Sequence, residues 1–161
     1  KQIFSDGWVS GLVLANGVFV GNGAHGLIRS TDDGEQWECV LKDEGGFYRT
    51  SVIDGGFAAV RLAGIWRTSA DNFPQRTFTS KDSGKTWKRL DKATIPIQAI
   101  RQLEQAEHFL FCSQKAGIFR SSDEGKSWNL IKSFKGIAEP MRLELSVSGN
   151  KIFVVKVFDG C

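Results

Sequence analysis

Apolar and polar residues alternate along most of this chain with a period of two, in short runs broken by glycine and small polar residues. WVSGLVLA (8–15), GVFVGNG (17–23), GLIRST (26–31) and EQWECVL (35–41) form one set of four runs. YRTSVID (48–54), GFAAVRL (56–62), RTFTSKD (76–82) and KTWKRL (85–90) form a second, interrupted by an insertion at 62–76. IPIQAIRQLEQ (95–105), HFLFCSQ (108–114), GIFRSSD (117–123) and KSWNLI (126–131) form a third. Alternation over such lengths, bounded by Gly, Asn, Asp and Ser, predicts half-buried β-strands joined by tight turns. No segment carries a helical stripe.

The sets are copies of one unit. Ser30/Asp32/Gly34/Trp37, Ser80/Asp82/Gly84/Trp87 and Ser121/Asp123/Gly125/Trp128 repeat the pattern S-x-D-x-G-x-x-W, each between the third and fourth runs of its set. Asp accepts hydrogen bonds from the backbone of its own turn, Ser adds a local hydrogen bond, and Gly takes a positive φ. Trp then folds back as an apolar plug with an N–H to satisfy. Four strands every forty to fifty residues is the period of a β-propeller blade. The expected fold is therefore all-β, a propeller of four-stranded antiparallel blades at about 8–41, 47–90 and 95–131. MRLELSVS (141–148) and KIFVVKVF (151–158) match the first two strands of another blade, and KQIF (1–4) matches a last strand. That makes about 3.5 blades in one domain spanning 1–161. The expectation is a fragment of a larger ring with a segment missing, with a small closed ring, or a ring completed by a second chain, as the alternatives.

The repeated turn resembles the Asp-box, or bacterial neuraminidase repeat, and three boxes make the likeness specific for the repeat. Such boxes occur in sialidases, other glycosidases, sortilin-type receptors and photosystem assembly factors, so the resemblance implies a fold and leaves function open. Compared with sialidases, Phe47-Tyr48-Arg49 resembles the segment carrying a strand-opening arginine, but Thr50-Ser51 replace Ile-Pro. Arg61, Arg67 and Asp71 follow before a box, and Arg142 is a second strand-opening arginine. The family's tyrosine nucleophile has no counterpart in a later blade, since the one tyrosine is Tyr48.

Strand order places the boxes on one edge of each sheet, with the loops between strands two and three and the links between sets on the other. Loops carry function, so the opposite edge is the place to look. It holds GNGAHG (21–26), DEGGFYR (43–49), the insertion 62–76, SQKAG (113–117) and SFKGIAEPMR (133–142). The ligand-binding candidates are His25, Tyr48, Arg49, Trp66, Arg67, Asp71 and Arg142. Trp66 either stacks on a sugar or packs over the sheet edge, and the arginines either clamp an anion or lie solvated on the surface. Glu44, Asp71, Glu139 and Asp159 are carboxylates in suitable loops for glycoside hydrolysis.

Composition narrows the rest. A net charge of +3 from 21 basic and 18 acidic residues does not point to nucleic acid. No apolar run is long enough for a membrane helix. Cys39, Cys112 and Cys161 lack C-x-x-C spacing, so neither a zinc site nor a disulfide framework is expected, and Cys39 and Cys112 read as small buried hydrophobes. Two isolated histidines, His25 and His108, give no metal motif, and no cofactor is implied. GNGAHG fits G-x-G-x-x-G, but a strand follows it where a dinucleotide site needs a helix. The expected function is non-catalytic recognition or scaffolding, with a glycan or protein ligand on the edge away from the boxes. The alternative is a sialidase-like or other glycosidase with an incomplete catalytic set. The family likeness implies an extracellular or periplasmic location.

Overall fold

The computed structural model describes residues 8–43, 46–62, 76–90, 102–114, 117–134 and 141–158. Among them the chain is all-β and contains no helix. Four antiparallel sheets follow one another along the sequence. The first runs β1 (Ser10–Ala15), β2 (Val18–Gly23), β3 (Gly26–Ser30) and β4 (Glu38–Lys42) in simple order. The second repeats this with β5 (Phe47–Ile53), β6 (Gly56–Leu62), β7 (Thr77–Ser80) and β8 (Lys88–Arg89), and the third with β9 (Gln102–Ala106), β10 (Phe109–Gln114), β11 (Gly117–Ser121) and β12 (Asn129–Ser133). The fourth pairs β13 (Met141–Ser148) with β14 (Lys151–Phe158). The chain forms two compact units, 1–89 and 90–161, each holding two of these sheets.

Within the first unit, the alternating apolar residues of the first two sheets meet face to face. Leu27, Tyr48, Ala59 and Phe78 form one buried cluster, and Val18, Val20 and Phe57 form another. Trp87 packs against both. Polar groups fix how the sheets meet. Asn22, fully buried on β2, donates through Nδ2 to the Tyr48 carbonyl, and its Oδ1 accepts from the Tyr48 N–H at 3.0 Å. Thr50 Oγ1 donates to the Gly11 carbonyl. Arg29 Nε donates to the Ser83 carbonyl at 2.6 Å, and its Nη1 meets Glu38 Oε1 at 2.5 Å. Gly84 lies so close to the first sheet that a Cβ there would sit 2.9 Å from Val20 Cγ2, on a backbone already at φ +79. Glycine is required at that point for both reasons.

The second unit repeats the device. Gln102 on β9 donates through Nε2 to the Leu145 carbonyl at 2.7 Å, and its Oε1 accepts from the Leu145 N–H at 2.8 Å. A carboxamide carries one donor side and one acceptor side, so it pairs with a strand backbone as another strand would. Ile118, Leu143 and Leu145 form the core there, with Phe111, Phe134 and Ile152 packed around it.

One expectation fails. Cys39 is exposed, not buried, because β4 is an edge strand and Val40 and Leu41 supply its inward contacts. Cys112 is buried as expected, on the central strand β10, and burial pushes its thiol up to about 12.

Candidate functional site

The three repeated turns share one hydrogen-bond plan. Ser30, Ser80 and Ser121 each donate through Oγ to Oδ1 of the aspartate two residues on, all at 2.8 Å. The same hydroxyls accept from the backbone N–H of Gly34 and Gly84 at 3.0 Å and of Gly125 at 2.9 Å. The aspartate Oδ1 also accepts the N–H four residues on, from Gln36, Thr86 and Ser127. Trp37, Trp87 and Trp128 each donate Nε1–H to the carbonyl of their turn glycine. The residue before that glycine takes a positive φ as well: Asp33, Ser83 and Glu124, at 56, 59 and 59°.

These bonds govern the carboxylates. The Thr86 and Ser127 hydroxyls and backbone N–H groups, followed by Ser80 and Ser121, bring Asp82 and Asp123 down to about 2. Asp32 is lowered too, by the Gln36 N–H and then by Ser30, without a hydroxyl from position 36. The bonds to these aspartates come from their own turns, which is what a structural staple needs.

The opposite edge is built differently. Chain direction puts the start of β1, the β2–β3 turn, the β4–β5 link, the start of β5 and the end of β6 on that side. Asp43, in the β4–β5 link, gathers three neighbours. Its N–H donates to the His25 carbonyl at 2.9 Å, Tyr48 Oη donates to its Oδ2 at 2.6 Å, and Arg61 Nε reaches the same oxygen at 2.5 Å. Burial works to raise the Asp43 carboxyl. The Arg61 and Tyr48 hydrogen bonds and the charges of Arg61 and Arg76 more than offset this and hold it below the usual carboxylate range. Burial, then the hydrogen bond to Asp43 and its charge, push the Tyr48 hydroxyl well above the usual phenol range. Tyr48 is 1% exposed, so it stays a proton donor inside the core.

Beside this anchored link lies an aromatic pair. Trp8, just before β1, stacks on Phe47 at the start of β5, with ring centroids 5.5 Å apart and planes inclined by 29°. Trp8 remains 48% exposed. A flat indole held from behind by a second ring is a preorganised surface for an apolar ligand face.

The sequence candidates distribute as follows. His25 is exposed in the β2–β3 turn, Arg49 is half-buried on β5, and Tyr48 is turned into the core between them. Arg142 stands in β13 opposite Val157. Trp66, Arg67 and Asp71, with Glu44, Glu139, Asp159, Cys161 and the segment 1–4, lie outside the described residues. The structure therefore brings the Tyr48 hydroxyl and the Arg61 guanidinium to the Asp43 carboxylate, and the His25 main-chain carbonyl to the Asp43 N–H. Trp8 was not among the sequence candidates, because it reads there as one more apolar position leading into a strand. Gly21, Gly23 and Gly26 belong to a strand-turn-strand: β3 follows the turn, and a Cβ at Gly21 would sit 2.6 Å from Leu12 Cδ2. Among the described residues no three His, Cys, Asp or Glu side chains cluster as metal ligands would.

No family model and no curated protein matches the chain.

Proposed function

We propose that this chain forms Asp-box blades of a β-propeller whose role is recognition without catalysis, with a glycan or protein ligand held on the edge away from the boxes. The observation that carries the reading is the Trp8–Phe47 stack, half-open to solvent on that edge. A stacked, partly exposed indole suits the apolar face of a sugar ring, and the exposed His25 and half-buried Arg49 supply polar groups at the same edge. The blade assignment is supported by three four-stranded meanders in sequence order and by the shared turn chemistry. The non-catalytic part is supported by the chemistry of the Tyr48–Asp43 pair. Its phenol is buried and protonated and its carboxylate is committed to Arg61, so neither group is available to attack a glycosidic carbon.

A glycan array with the intact chain, followed by fluorogenic sialoside and β-glucoside assays, tests the reading. Binding without turnover is expected, weakened at least about tenfold by Trp8→Ala in a chain that still unfolds cooperatively. Turnover that disappears in Arg49→Ala would overturn it in favour of a glycosidase.

A further inference from the structure

The fourth sheet has two strands among the described residues, and no strand there pairs with the outer edge of β14. β14 is 8 residues long and pairs with β13 at every position without a bulge. Phe153, Val154 and Val155 along it are 50, 40 and 50% exposed. A long, regular, apolar edge is a template for an added strand.

The second sheet shows how the same place is filled elsewhere in the chain. Counted from the turns that close the β5–β6 and β13–β14 hairpins, Leu143 stands where Tyr48 does, Ile152 where Phe57 does and Val154 where Ala59 does. In the first unit Phe57 and Ala59 are fully buried, Ala59 packing with Phe78 of β7 and both clusters meeting Trp87. In the second unit Ile152 is half-buried and Val154 is open. Arg29 and Arg120 correspond as well, each one residue before its turn serine. Arg29 is 7% exposed because the turn of the next sheet lies on it, with the Ser83 carbonyl accepting from Nε. Arg120 is exposed and rests over the Phe109 ring, 4.5 Å from its centroid.

We infer that the β14 edge is a docking site for a β-hairpin carrying an S-x-D-x-G-x-x-W turn. The first strand of that hairpin pairs antiparallel with β14, by strand addition. Its turn carbonyl accepts from Arg120, as Ser83 accepts from Arg29. Its tryptophan covers Phe109, Phe111 and Ile152, as Trp87 covers Val18, Val20 and Phe57. The inference rests on the correspondence between the two units and is independent of what the Trp8 edge binds.

The test uses the intact chain and a fluorescein-labelled peptide of residues 76–90, which is this chain's own β7–β8 hairpin, read by fluorescence anisotropy. Saturable binding is expected, weakened about fivefold or more by Arg120→Ala and by Val154→Lys, both at exposed positions. The peptide with Trp87→Ala should bind at least about tenfold more weakly. Trp8→Ala should leave peptide binding unchanged, which separates failure here from failure of the ligand reading. Absence of saturable binding would overturn the inference, as would binding indifferent to Arg120→Ala and Val154→Lys. A chain that is dimeric by light scattering and becomes monomeric with Val154→Lys would overturn it too, by assigning the edge to a second copy.

Discussion

Asn22 holds both backbone polar groups of Tyr48 with one side chain, donating to the carbonyl and accepting from the N–H across two sheets. Both residues are buried, so neither Tyr48 group has water as a substitute. Asn22→Leu keeps the branching and the number of side-chain heavy atoms but removes both bonds, and should cost about 3 kcal/mol of unfolding free energy. Gln102→Leu should cost a similar amount by removing the pair on Leu145. Urea titrations of the two variants check this, and a loss near zero in either would show that the carboxamide bracket is incidental.

Asp43 joins the β4–β5 link to β6 through Arg61, which is only 5% exposed. Asp43→Ala removes one carboxylate from that guanidinium and the acceptor of Tyr48 Oη. The expected loss is about 3 kcal/mol, discounted from a fully buried pair because Asp43 is partly open to solvent. Asp43→Asn retains an acceptor for Tyr48 and should lose less. Thermal melts of the two variants side by side give the order.

The turn aspartates predict an acid transition with a definite sign. Asp82 and Asp123 are brought from 3.8 to about 2 in the folded chain. A carboxyl depressed on folding stabilises fully above its unfolded value and loses that contribution as pH falls toward the folded one. Melting temperature should therefore drop between about pH 4 and pH 2, and Asp82→Asn with Asp123→Asn should flatten that part of the curve. The first turn lacks one bond that the other two make: Gln36 offers Asp32 no hydroxyl, whereas Thr86 Oγ1 and Ser127 Oγ each donate to their aspartate at 2.6 Å. Gln36→Thr should raise the melting temperature at neutral pH and steepen its fall in acid.

The three turn tryptophans make the same bond to their glycines but differ in burial. Trp128 is 8% exposed, and Trp128→Ala should cost about 3–5 kcal/mol. Trp37 is half-buried, tilted against Phe19 with centroids 6.3 Å apart, and should cost less. Chemical denaturation of both alanine variants tests whether burial or the shared Nε1–H bond sets the cost. Equal losses would favour the bond.

The strands and the three turns were legible in the sequence because both are local. Alternation with a period of two and a turn of eight residues need no knowledge of the rest of the chain. What the sequence hid is contact at long range. Nothing near Arg29 announces that it reaches Ser83, 54 residues on. Asn22 sits in a glycine-rich stretch that fits the dinucleotide-site pattern G-x-G-x-x-G, yet its amide is spent on Tyr48. Tyr48 reads as a candidate because it adjoins Arg49, and strand alternation then turns the two to opposite faces. The turns looked like staples for their own hairpins alone, and the second one also clamps two sheets together. Cys39 lies in an apolar run whose strand falls at a sheet edge, where alternation no longer guarantees burial.

The most direct measurement is a calorimetric titration of the strongest array ligand into three proteins: the unaltered chain, Trp8→Ala and Lys81→Ala. Lys81 lies at the other edge, where its Nζ donates to the Asp54 carbonyl at 2.6 Å. Recognition on the edge opposite the turns predicts unchanged affinity with Lys81→Ala and a loss of at least about tenfold with Trp8→Ala. Affinity that survives Trp8→Ala and falls with Lys81→Ala would contradict it.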